Sequence, residues 1–311
     1  MLFNILVFFA GLLLLYYGAE YLVTGSSRLA LSFGIRPLVV GMTVVAFATS
    51  MPELMVSLFA AARGSADMAA GNIVGSNIAN IGLILGTAAL VVPLRVASRT
   101  LLREIPFMVG ASVLLYLLVL DGRLGFFNGL VLFLLLLVFL GYCLSTARSV
   151  PDGEAATPAV AAVHGRVRDA LFIVFGIVGL GFGAELMVRS ATEIARSLGI
   201  SELVIGISIV ALGTSLPELA ASLMSAWKGE MDISVGNIIG SNVFNILFVL
   251  GVCPMLQPLT IEPSLLRVEL PVMIGFSLAL PLLLYPALVL DRWRGGLLLA
   301  GYLAFIGTLF L

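Results

Sequence analysis

Two glutamates lie in the middle of apolar sequence, each inside the same six-residue pattern. Glu53 belongs to TSMPEL at residues 49–54, and Glu218 belongs to TSLPEL at residues 214–219. An ionisable side chain near the middle of a bilayer costs at least about 2.5–3.5 kcal/mol, so two matched ones call for a partner. No Lys or Arg occurs at a comparable depth in any apolar segment, which disfavours a buried Glu–Arg pair. The pattern favours a bound cation as the partner, with permanently protonated packing glutamates as the alternative.

A proline precedes each glutamate and predicts a break in each apolar segment. Pro52 and Pro217 lack a backbone N–H and clash with the preceding turn, so carbonyl oxygens are freed there. Inside a membrane, such carbonyls are tolerated only where they are buried in protein or line a wet cavity. Hydroxyl oxygens stand beside the two breaks, on Thr49, Ser50, Thr214 and Ser215.

A second duplicated pattern supplies neutral oxygens. It reads GNIVGSNIAN at residues 71–80 and GNIIGSNVFN at residues 236–245. The polar side chains after its second glycine are Ser76, Asn77 and Asn80 in one copy and Ser241, Asn242 and Asn245 in the other. Amides and hydroxyls can tie helices together in a membrane, and opposite two glutamates they can also serve as cation ligands.

The combined set of candidate ligands contains only oxygen. Hard cations such as Ca²⁺ take six to eight oxygen ligands, whereas Zn²⁺ and copper prefer thiols and imidazoles, which are not clustered in this sequence. Two carboxylates neutralise one Ca²⁺ or are shared among several Na⁺. Occupancy of one cavity by either ion, but not both, is the basis of antiport.

Both patterns belong to an internal repeat. A shift of 165 positions aligns residues 18–86 with 183–251 without a gap, and 33 of these 69 positions are identical. Apolar composition alone does not produce GMTVVAFATSMPEL over GISIVALGTSLPEL. The sequence therefore predicts an internal duplication in which the two glutamates occupy the same ancestral position.

Composition places this repeat in a membrane. Only 11% of the 311 residues are charged and 61% are hydrophobic, whereas a soluble domain is about 25% charged. The net charge of −1 gives no sign of a nucleic-acid partner, and the two distant cysteines form neither a disulfide framework nor a zinc site. The first apolar stretch lacks the basic start of a cleavable signal, so it is predicted to be a retained helix.

Since a bilayer core of about 30 Å needs roughly 20 apolar residues per helix, ten spanning segments are predicted, at residues 2–25, 38–62, 69–92, 104–120, 124–144, 169–190, 203–226, 233–256, 268–289 and 294–311. The predicted fold is an all-α integral membrane protein with two five-helix repeats. Five is odd, so the second repeat enters the membrane inverted, as in many transporters with a site near the midplane. The predicted divisions are residues 1–144 (core motif 41–86), a linker at 145–168, and 169–311 (core motif 206–251).

Basic residues predict the orientation. Loops after odd-numbered helices hold eleven of the 16 Lys and Arg residues, and loops after even-numbered helices hold the other five. Because the basic side of a membrane protein faces the cytoplasm, the linker is predicted to be cytoplasmic and both termini to lie outside. The expected location is the inner (plasma) membrane.

The motifs GxxxxAxxTSxPEL and GNIxGSNxxN are each present twice. They resemble those of the calcium/cation antiporter superfamily, in its prokaryotic sodium/calcium exchanger branch, and the resemblance covers nearly the whole chain. The resemblance implies ten helices and exchange of several Na⁺ for one Ca²⁺, by sliding of the first and sixth helices over the rest. It implies calcium ligation by Glu53, Glu218 and the carbonyls of Thr49 and Thr214. It further implies sodium sites that add Ser50, Ser215, Ser76, Ser241, Asn80, Asn245 and the carbonyls of Ala46 and Ala211.

One position within the resemblance bears on a third ion. Potassium-dependent relatives carry Asp where this chain has Asn245, so a pocket with two carboxylates resembles the potassium-independent pattern. The large cytoplasmic calcium-sensing domains of animal members have no counterpart in the short predicted linker, residues 145–168.

Other functions stay open at the level of sequence. A buried glutamate that releases its proton on binding Ca²⁺ would give H⁺/Ca²⁺ exchange. A cation channel would dissipate gradients without a counter-ion. An intramembrane hydrolase is disfavoured, because no nucleophile–base pair or metal-ligating histidines accompany the glutamates. We expect no enzyme activity, no cofactor and no obligate protein partner, with the lipid bilayer as the surroundings and Ca²⁺ and Na⁺ as substrates.

Overall fold

The computed structural model describes residues 2–63, 66–147, 165–199 and 211–309. In the first half of the chain, the α-helices are α1 (Leu2–Phe33), α2 (Pro37–Val40), α3 (Ala46–Thr49), α4 (Met51–Ala62), α5 (Ala66–Ala79), α6 (Gly86–Val91), α7 (Ile105–Leu118) and α8 (Phe126–Thr146). In the second half they are α9 (Arg166–Ser197), α10 (Ala211–Gly213), α11 (Leu216–Trp227), α12 (Met231–Phe244), α13 (Leu250–Leu256), α14 (Leu270–Leu284) and α15 (Arg292–Thr308).

Short π-helical stretches join several of these helices end to end, at Gly41–Val45, Asn80–Leu85, Thr100–Glu104, Asn245–Val249 and Leu265–Glu269. Four of the five form two pairs that match under the 165-residue shift. π-helical turns inside longer helices are often found at functional sites. Asn80 and Asn245, both candidate ligands, each begin such a stretch.

The all-α membrane fold is confirmed. Among the described residues, seven helical stretches are long and apolar enough to cross a bilayer, and α2–α3 with α4 forms an eighth span, bent by 43°. Each of the ten predicted segments coincides with helix in the described parts of the chain. The last helix, α15, has 17 residues and is slightly too short to be counted among these spans. The start of the seventh predicted segment and most of the predicted linker lie outside the described residues.

Three of the predicted helix ends are wrong: the ninth segment ends at Leu284 rather than at residue 289, and two others end too early. Helices α1 and α9 run to Phe33 and Ser197, rather than to residues 25 and 190. Serines and arginines lower the hydropathy at these ends, but they do not break a helix. The break comes at Gly34 and Gly199, whose φ angles of 63° and 78° suit glycine. At 1.5 Å per residue, each 32-residue helix is about 48 Å long, which exceeds the bilayer core.

Helices α1 and α9 pack against each other in antiparallel fashion along their length. Glycines make the close approach possible: a Cβ atom on Gly18 would lie 2.6 Å from the backbone nitrogen of Leu180, and one on Gly176 would lie 2.5 Å from that of Leu22. Small residues at such contacts let membrane helices come together closely. The pair forms an apolar cluster with α11 that is separate from the main core.

The main core is built from both repeats. It surrounds α5 and α12 and includes Ile73, Ile78, Ile238 and Ile246. Two short antiparallel strand pairs also join the halves: β1 (Leu94–Arg95) with β4 (Val289–Leu290), and β2 (Arg123–Leu124) with β3 (Leu259–Thr260). Each pair takes one strand from each repeat, so the halves interlock.

Candidate cation site

Each glutamate lies in the first turn of a helix that starts at a break in its span. The break falls at Ser50 before α4 and at Ser215 before α11, and the two serines have nearly the same backbone angles, φ −81° with ψ 3° and φ −87° with ψ 2°. The prolines occupy the first turn, where their missing N–H is tolerated, so they begin a helix rather than kink one. The predicted breaks are therefore confirmed at both positions.

The breaks bring the two carboxylates into one buried region. Ser50 Oγ donates to Glu218 Oε1 over 3.3 Å, and Ser215 Oγ lies 3.5 Å from Glu53 Oε1. Each serine thus faces the carboxylate of the other repeat. Glu53 and Glu218 are 1% and 0% exposed. Among the described residues, no Lys, Arg or His nitrogen lies within 4.0 Å of either one.

The asparagines of the second motif bond across the repeat interface. Asn80 Nδ2 donates to Asn242 Oδ1 over 3.1 Å, and Asn245 Nδ2 donates to Asn77 Oδ1 over 3.0 Å. Asn77 and Asn242 therefore tie the helices together. These bonds use the nitrogens of Asn80 and Asn245, and they leave the amide oxygens of those two residues free to accept.

Among the glutamates and asparagines of the two motifs, four buried oxygens consequently have no hydrogen-bond donor, and they form two pairs under the 165-residue shift: Glu53 Oε2 with Glu218 Oε2, and Asn80 Oδ1 with Asn245 Oδ1. A buried acceptor without a donor costs about 1–3 kcal/mol, and more when it is charged. Glu104 Oε2 and Glu269 Oε2 form a further matching pair outside the two motifs, so the repeated cost supports a function here only together with the paired carboxylates. Bound cations would satisfy oxygens of this kind.

Three more predicted ligands, Thr49, Ser241 and the Ala46 carbonyl, lie together beside the first break. Thr49 Oγ1 lies 3.4 Å from Ser241 Oγ, 3.1 Å from Asn237 Oδ1 and 3.4 Å from the Ala46 carbonyl oxygen. That carbonyl also accepts from the Ser50 backbone nitrogen over 3.0 Å.

The two repeats differ in detail among these ligands. Thr214 Oγ1 is buried without a partner, whereas Thr49 Oγ1 has three oxygens in reach. Ser76 is buried at 5% exposure. Ala211 begins α10, and its side chain is outside the described part of the chain.

Two residues of the site are missing from the prediction. Asn72 and Asn237 stand at matching positions, and each amide lies 3.4–3.5 Å from the backbone carbonyl of the glutamate in its own repeat. Each amide nitrogen also donates to the serine one turn after that glutamate, to Ser57 Oγ over 3.1 Å and to Ser222 Oγ over 2.9 Å. The duplicated GNI, whose Asn is Asn72 in one copy and Asn237 in the other, was the sequence signal that could have identified them.

The described residues contain no cluster of three or more His, Cys, Asp and Glu side chains that could hold a metal ion. The candidate site instead has two carboxylates among hydroxyl and amide oxygens. Such a set suits hard cations, for which oxygen is the preferred ligand. It offers two negative charges, which one divalent cation balances.

Comparison with known proteins gives matches over nearly the whole chain. The family described as sodium/calcium exchanger protein matches residues 3–145 and 169–311. A putative antiporter, CaxA, from Alkalimonas amylolytica is 40% identical, over 97% of this chain and 96% of its own. The inner membrane protein YrbG of Escherichia coli is 38% identical, over 96% and 94% respectively.

A solved structure has the same fold. The sodium-calcium exchanger NCX_Mj, soaked with 2.5 mM Na⁺ and 0.1 mM Ca²⁺, superposes with a TM-score of 0.88 at 33% sequence identity, and the match covers 99% of both chains.

Proposed function

We propose that this chain, a member of the sodium/calcium exchanger protein family, exchanges Na⁺ for Ca²⁺ at Glu53 and Glu218. Its family makes it a multi-pass cation/Ca²⁺ antiporter of the inner membrane and not an enzyme. Its ions are substrates, and no cofactor is involved. The observation that carries the proposal is the set of four buried, donorless oxygens repeated in the two halves.

The charge of the site explains why the two ions compete. The carboxylates of Glu53 and Glu218 carry two negative charges in a region shielded from solvent. One Ca²⁺ neutralises both, and Na⁺ ions shared between the carboxylates do the same. The site is unfavourable when empty, because desolvated like charges repel, and it cannot hold both kinds of ion in full. Mutually exclusive occupancy couples the two fluxes.

The way the helices pack supports alternating access as part of this proposal. Helices α1 and α9 form a tight pair, and the apolar cluster in which they meet Ala221 and Met224 of α11 and Ile233 of α12 is distinct from the main core. We propose that this pair slides over the rest of the protein and exposes the site to one side of the membrane at a time. The site itself stays with the core, since its candidate ligands lie on the two broken spans, on α5 and α12, and on the π-helical stretches that follow those two helices, and not on α1 or α9.

The orientation belongs to the proposal as well. The positive-inside rule places both termini outside and the predicted linker, residues 145–168, in the cytoplasm. In that arrangement Lys228 faces the cytoplasm and Arg63 faces the outside.

Flux measurements on reconstituted protein test the coupling. In proteoliposomes loaded with Na⁺, uptake of ⁴⁵Ca²⁺ should follow the outward Na⁺ gradient and should not require K⁺. Glu53→Gln and Glu218→Gln should each reduce this uptake to background, because each removes one of the two charges that balance Ca²⁺. The exposed Glu262→Gln serves as the matched control and should leave uptake unchanged.

The same vesicles separate the alternatives. Uptake driven by a pH gradient in Na⁺-free medium would identify H⁺/Ca²⁺ exchange instead. Ca²⁺ entry without any counter-ion gradient would identify a channel. Uptake that persists in both Gln variants would contradict the site.

A further inference from the structure

An apolar groove runs between α1 and α9 on the outer surface of the protein. Its volume is about 550 Å³, and Gly18 and Gly179 are among the residues that line it. Aromatic residues line it, including Tyr21 and Phe172, whose ring centres are 5.2 Å apart. The groove is the right kind of surface for a hydrocarbon chain, because its walls are apolar and it is open to the bilayer.

Two arginines stand beside Phe172, which lines this groove, and a third stands beside Phe33 on α1. Arg28 and Arg168 each place the guanidinium carbon 6.0 Å from the centre of the Phe172 ring, and Arg166 lies 4.5 Å from the Phe33 ring. Among the described residues, none of the three has a carboxylate oxygen within 4.0 Å. Guanidinium groups bind phosphate with good geometry and stack on aromatic rings.

We propose that the groove binds an anionic phospholipid, with an acyl chain along Gly18 and Gly179 and its phosphate on Arg28 and Arg168. Charge complementarity selects this occupant: basic pockets between membrane helices attract anionic headgroups. The lipid touches both helices of the sliding pair, so it binds that pair as one piece. It therefore belongs to the moving part of the protein and not to the ion site.

Lipid retention measured by native mass spectrometry tests this proposal. The probes are phosphatidylglycerol and phosphatidylcholine, offered separately to the detergent-purified full chain. Arg28→Gln with Arg168→Gln should weaken phosphatidylglycerol binding by about tenfold or more and leave phosphatidylcholine binding unchanged, since each cation near the headgroups contributes about 1 kcal/mol. The control, Arg103→Gln with Arg292→Gln, removes two other exposed arginines and should change neither.

A groove variant checks the position of the acyl chain. Val178 lines the groove and is 48% exposed, so Val178→Trp fills space without entering the core. This variant should reduce phosphatidylglycerol retention even though both arginines are present. Equal retention of the two lipids by the unaltered protein, or equal losses in the double variant and its control, would overturn the proposal.

A second and independent observation concerns charges that the 165-residue shift repeats. Glu20 corresponds to Glu185, and Lys228 corresponds to Arg63. Lys228 Nζ lies 3.2 Å from Glu20 Oε1, whereas Glu185 pairs with Arg189 of its own helix. Arg63 has no ion pair with a described residue. The ion pair between Glu20 and Lys228 is therefore formed, whereas its equivalent between Glu185 and Arg63 is not.

Packing shows the same asymmetry. Helix α1 lies closely against α11, the helix that ends beside Lys228. The equivalent contact, of α9 with α4, is not comparably formed among the described residues. The protein is therefore closed at the Lys228 end, with the Glu20–Lys228 pair across the closed seam.

We infer that the opposite conformation exchanges these ion pairs. When α9 closes on α4, Glu185 leaves Arg189 and pairs with Arg63, while Glu20 releases Lys228. This inference rests on the proposed alternating access. The pairs are partly exposed, so their contribution to stability is small, and they act as matched contacts that form in turn.

Cross-linking with a cleavable bifunctional thiol reagent tests the exchange of ion pairs, because a bridge through two long side chains does not bring their Cα atoms within the about 7 Å that a direct disulfide needs. In the full chain, Glu20→Cys with Lys228→Cys should cross-link in the conformation described here and block ⁴⁵Ca²⁺ flux reversibly. Glu185→Cys with Arg63→Cys should cross-link only when the opposite conformation is populated, and should also block flux. Glu20→Cys with Arg63→Cys, which join opposite ends, should not cross-link.

The outcomes separate this inference from the proposed function. If the protein transports Ca²⁺ but Glu185→Cys and Arg63→Cys do not cross-link under any Na⁺ or Ca²⁺ condition, the proposed exchange of ion pairs is overturned and the antiport proposal stands. Both cross-links without Na⁺-driven flux in the unaltered protein would support the exchange and remove the Na⁺ coupling.

Discussion

Asn237 connects three parts of the candidate site. Its amide nitrogen donates to Ser222 Oγ over 2.9 Å and approaches the Glu218 carbonyl oxygen at 3.5 Å, while its oxygen accepts from Thr49 Oγ1 over 3.1 Å. Helix α12 is thereby tied to the glutamate-bearing helix of its own repeat and to the break in the other. The residue is a positioning residue, since its side chain acts through the ligands.

Asn237→Ala should weaken the site without removing a charge. Loss of one to two buried hydrogen bonds is worth about 1–2 kcal/mol, so Ca²⁺ should half-saturate uptake at about a tenfold higher concentration. The measurement is ⁴⁵Ca²⁺ uptake against Ca²⁺ concentration, with equal protein per vesicle. Ser225→Ala is the control, because Ser225 Oγ donates only to Ala221 within its own helix. Equal curves for Asn237→Ala and the control would contradict this role.

At the scale of residues, sequence predicts the glutamates and misses what holds them. Glu53 and Glu218 stand out because a charge in apolar sequence is expensive. Asn72 and Asn237 do not, since an amide beside a glycine in an apolar helix has many uses. Whether an amide oxygen is free depends on where its nitrogen donates, and that depends on the other repeat. The side-chain oxygens of Asn77 and Asn242 accept hydrogen bonds from the other repeat, whereas those of Asn80 and Asn245 do not, and the sequence alone does not show this difference.

At the scale of elements, the glycines of α1 and α9 set how closely the sliding pair packs. Gly176 sits against the backbone of Leu22, whereas a Cβ atom on Gly181, five residues later on the same helix, would have no described atom of a neighbouring element within 4 Å. A close, smooth contact such as that at Gly176 holds two helices together as a unit. It also leaves no room for a larger side chain.

Gly176→Ala should destabilise the protein, and Gly181→Ala should not. The new Cβ atom at residue 176 would lie 2.5 Å from the Leu22 nitrogen, an overpacking that costs about 1–3 kcal/mol. Thermal unfolding in detergent, followed by tryptophan fluorescence, should show a Tm several degrees lower for Gly176→Ala only. A similar Tm for both variants would contradict the close packing.

Helix existence is easier to predict than helix detail. Apolar length identifies the spans, and proline identifies the two breaks, because both signals are local in the sequence. The π-helical stretches and the full lengths of α1 and α9 are missed. A π turn reflects packing around it, and hydropathy falls at a polar helix end even where the helix continues to Gly34 or Gly199.

At the scale of the whole molecule, the two repeats are joined so closely that neither half contains the site. Ser50 faces Glu218, Ser215 faces Glu53, and each strand pair takes one strand from each half. The division of the chain at residues 144 and 169 stays a prediction about ancestry. The working unit is the pair of repeats, since each supplies one carboxylate and part of the other's surroundings.

Reporter fusions test the proposed orientation of the whole molecule. Alkaline phosphatase joined after Leu311 should be active, because the C-terminus is predicted to lie outside. The same enzyme inserted within residues 148–164 should be inactive, and a fluorescent protein at that place should be bright. The reverse pattern would contradict the orientation derived from the basic residues.

Equilibrium binding of ⁴⁵Ca²⁺ to the purified protein tests the central claim most directly. The unaltered chain should bind about one Ca²⁺, and Na⁺ should displace it, because both ions use the carboxylates of Glu53 and Glu218. Glu53→Gln and Glu218→Gln should each lose this binding, while Glu262→Gln retains it. Na⁺-sensitive binding that survives in both Gln variants would contradict the account.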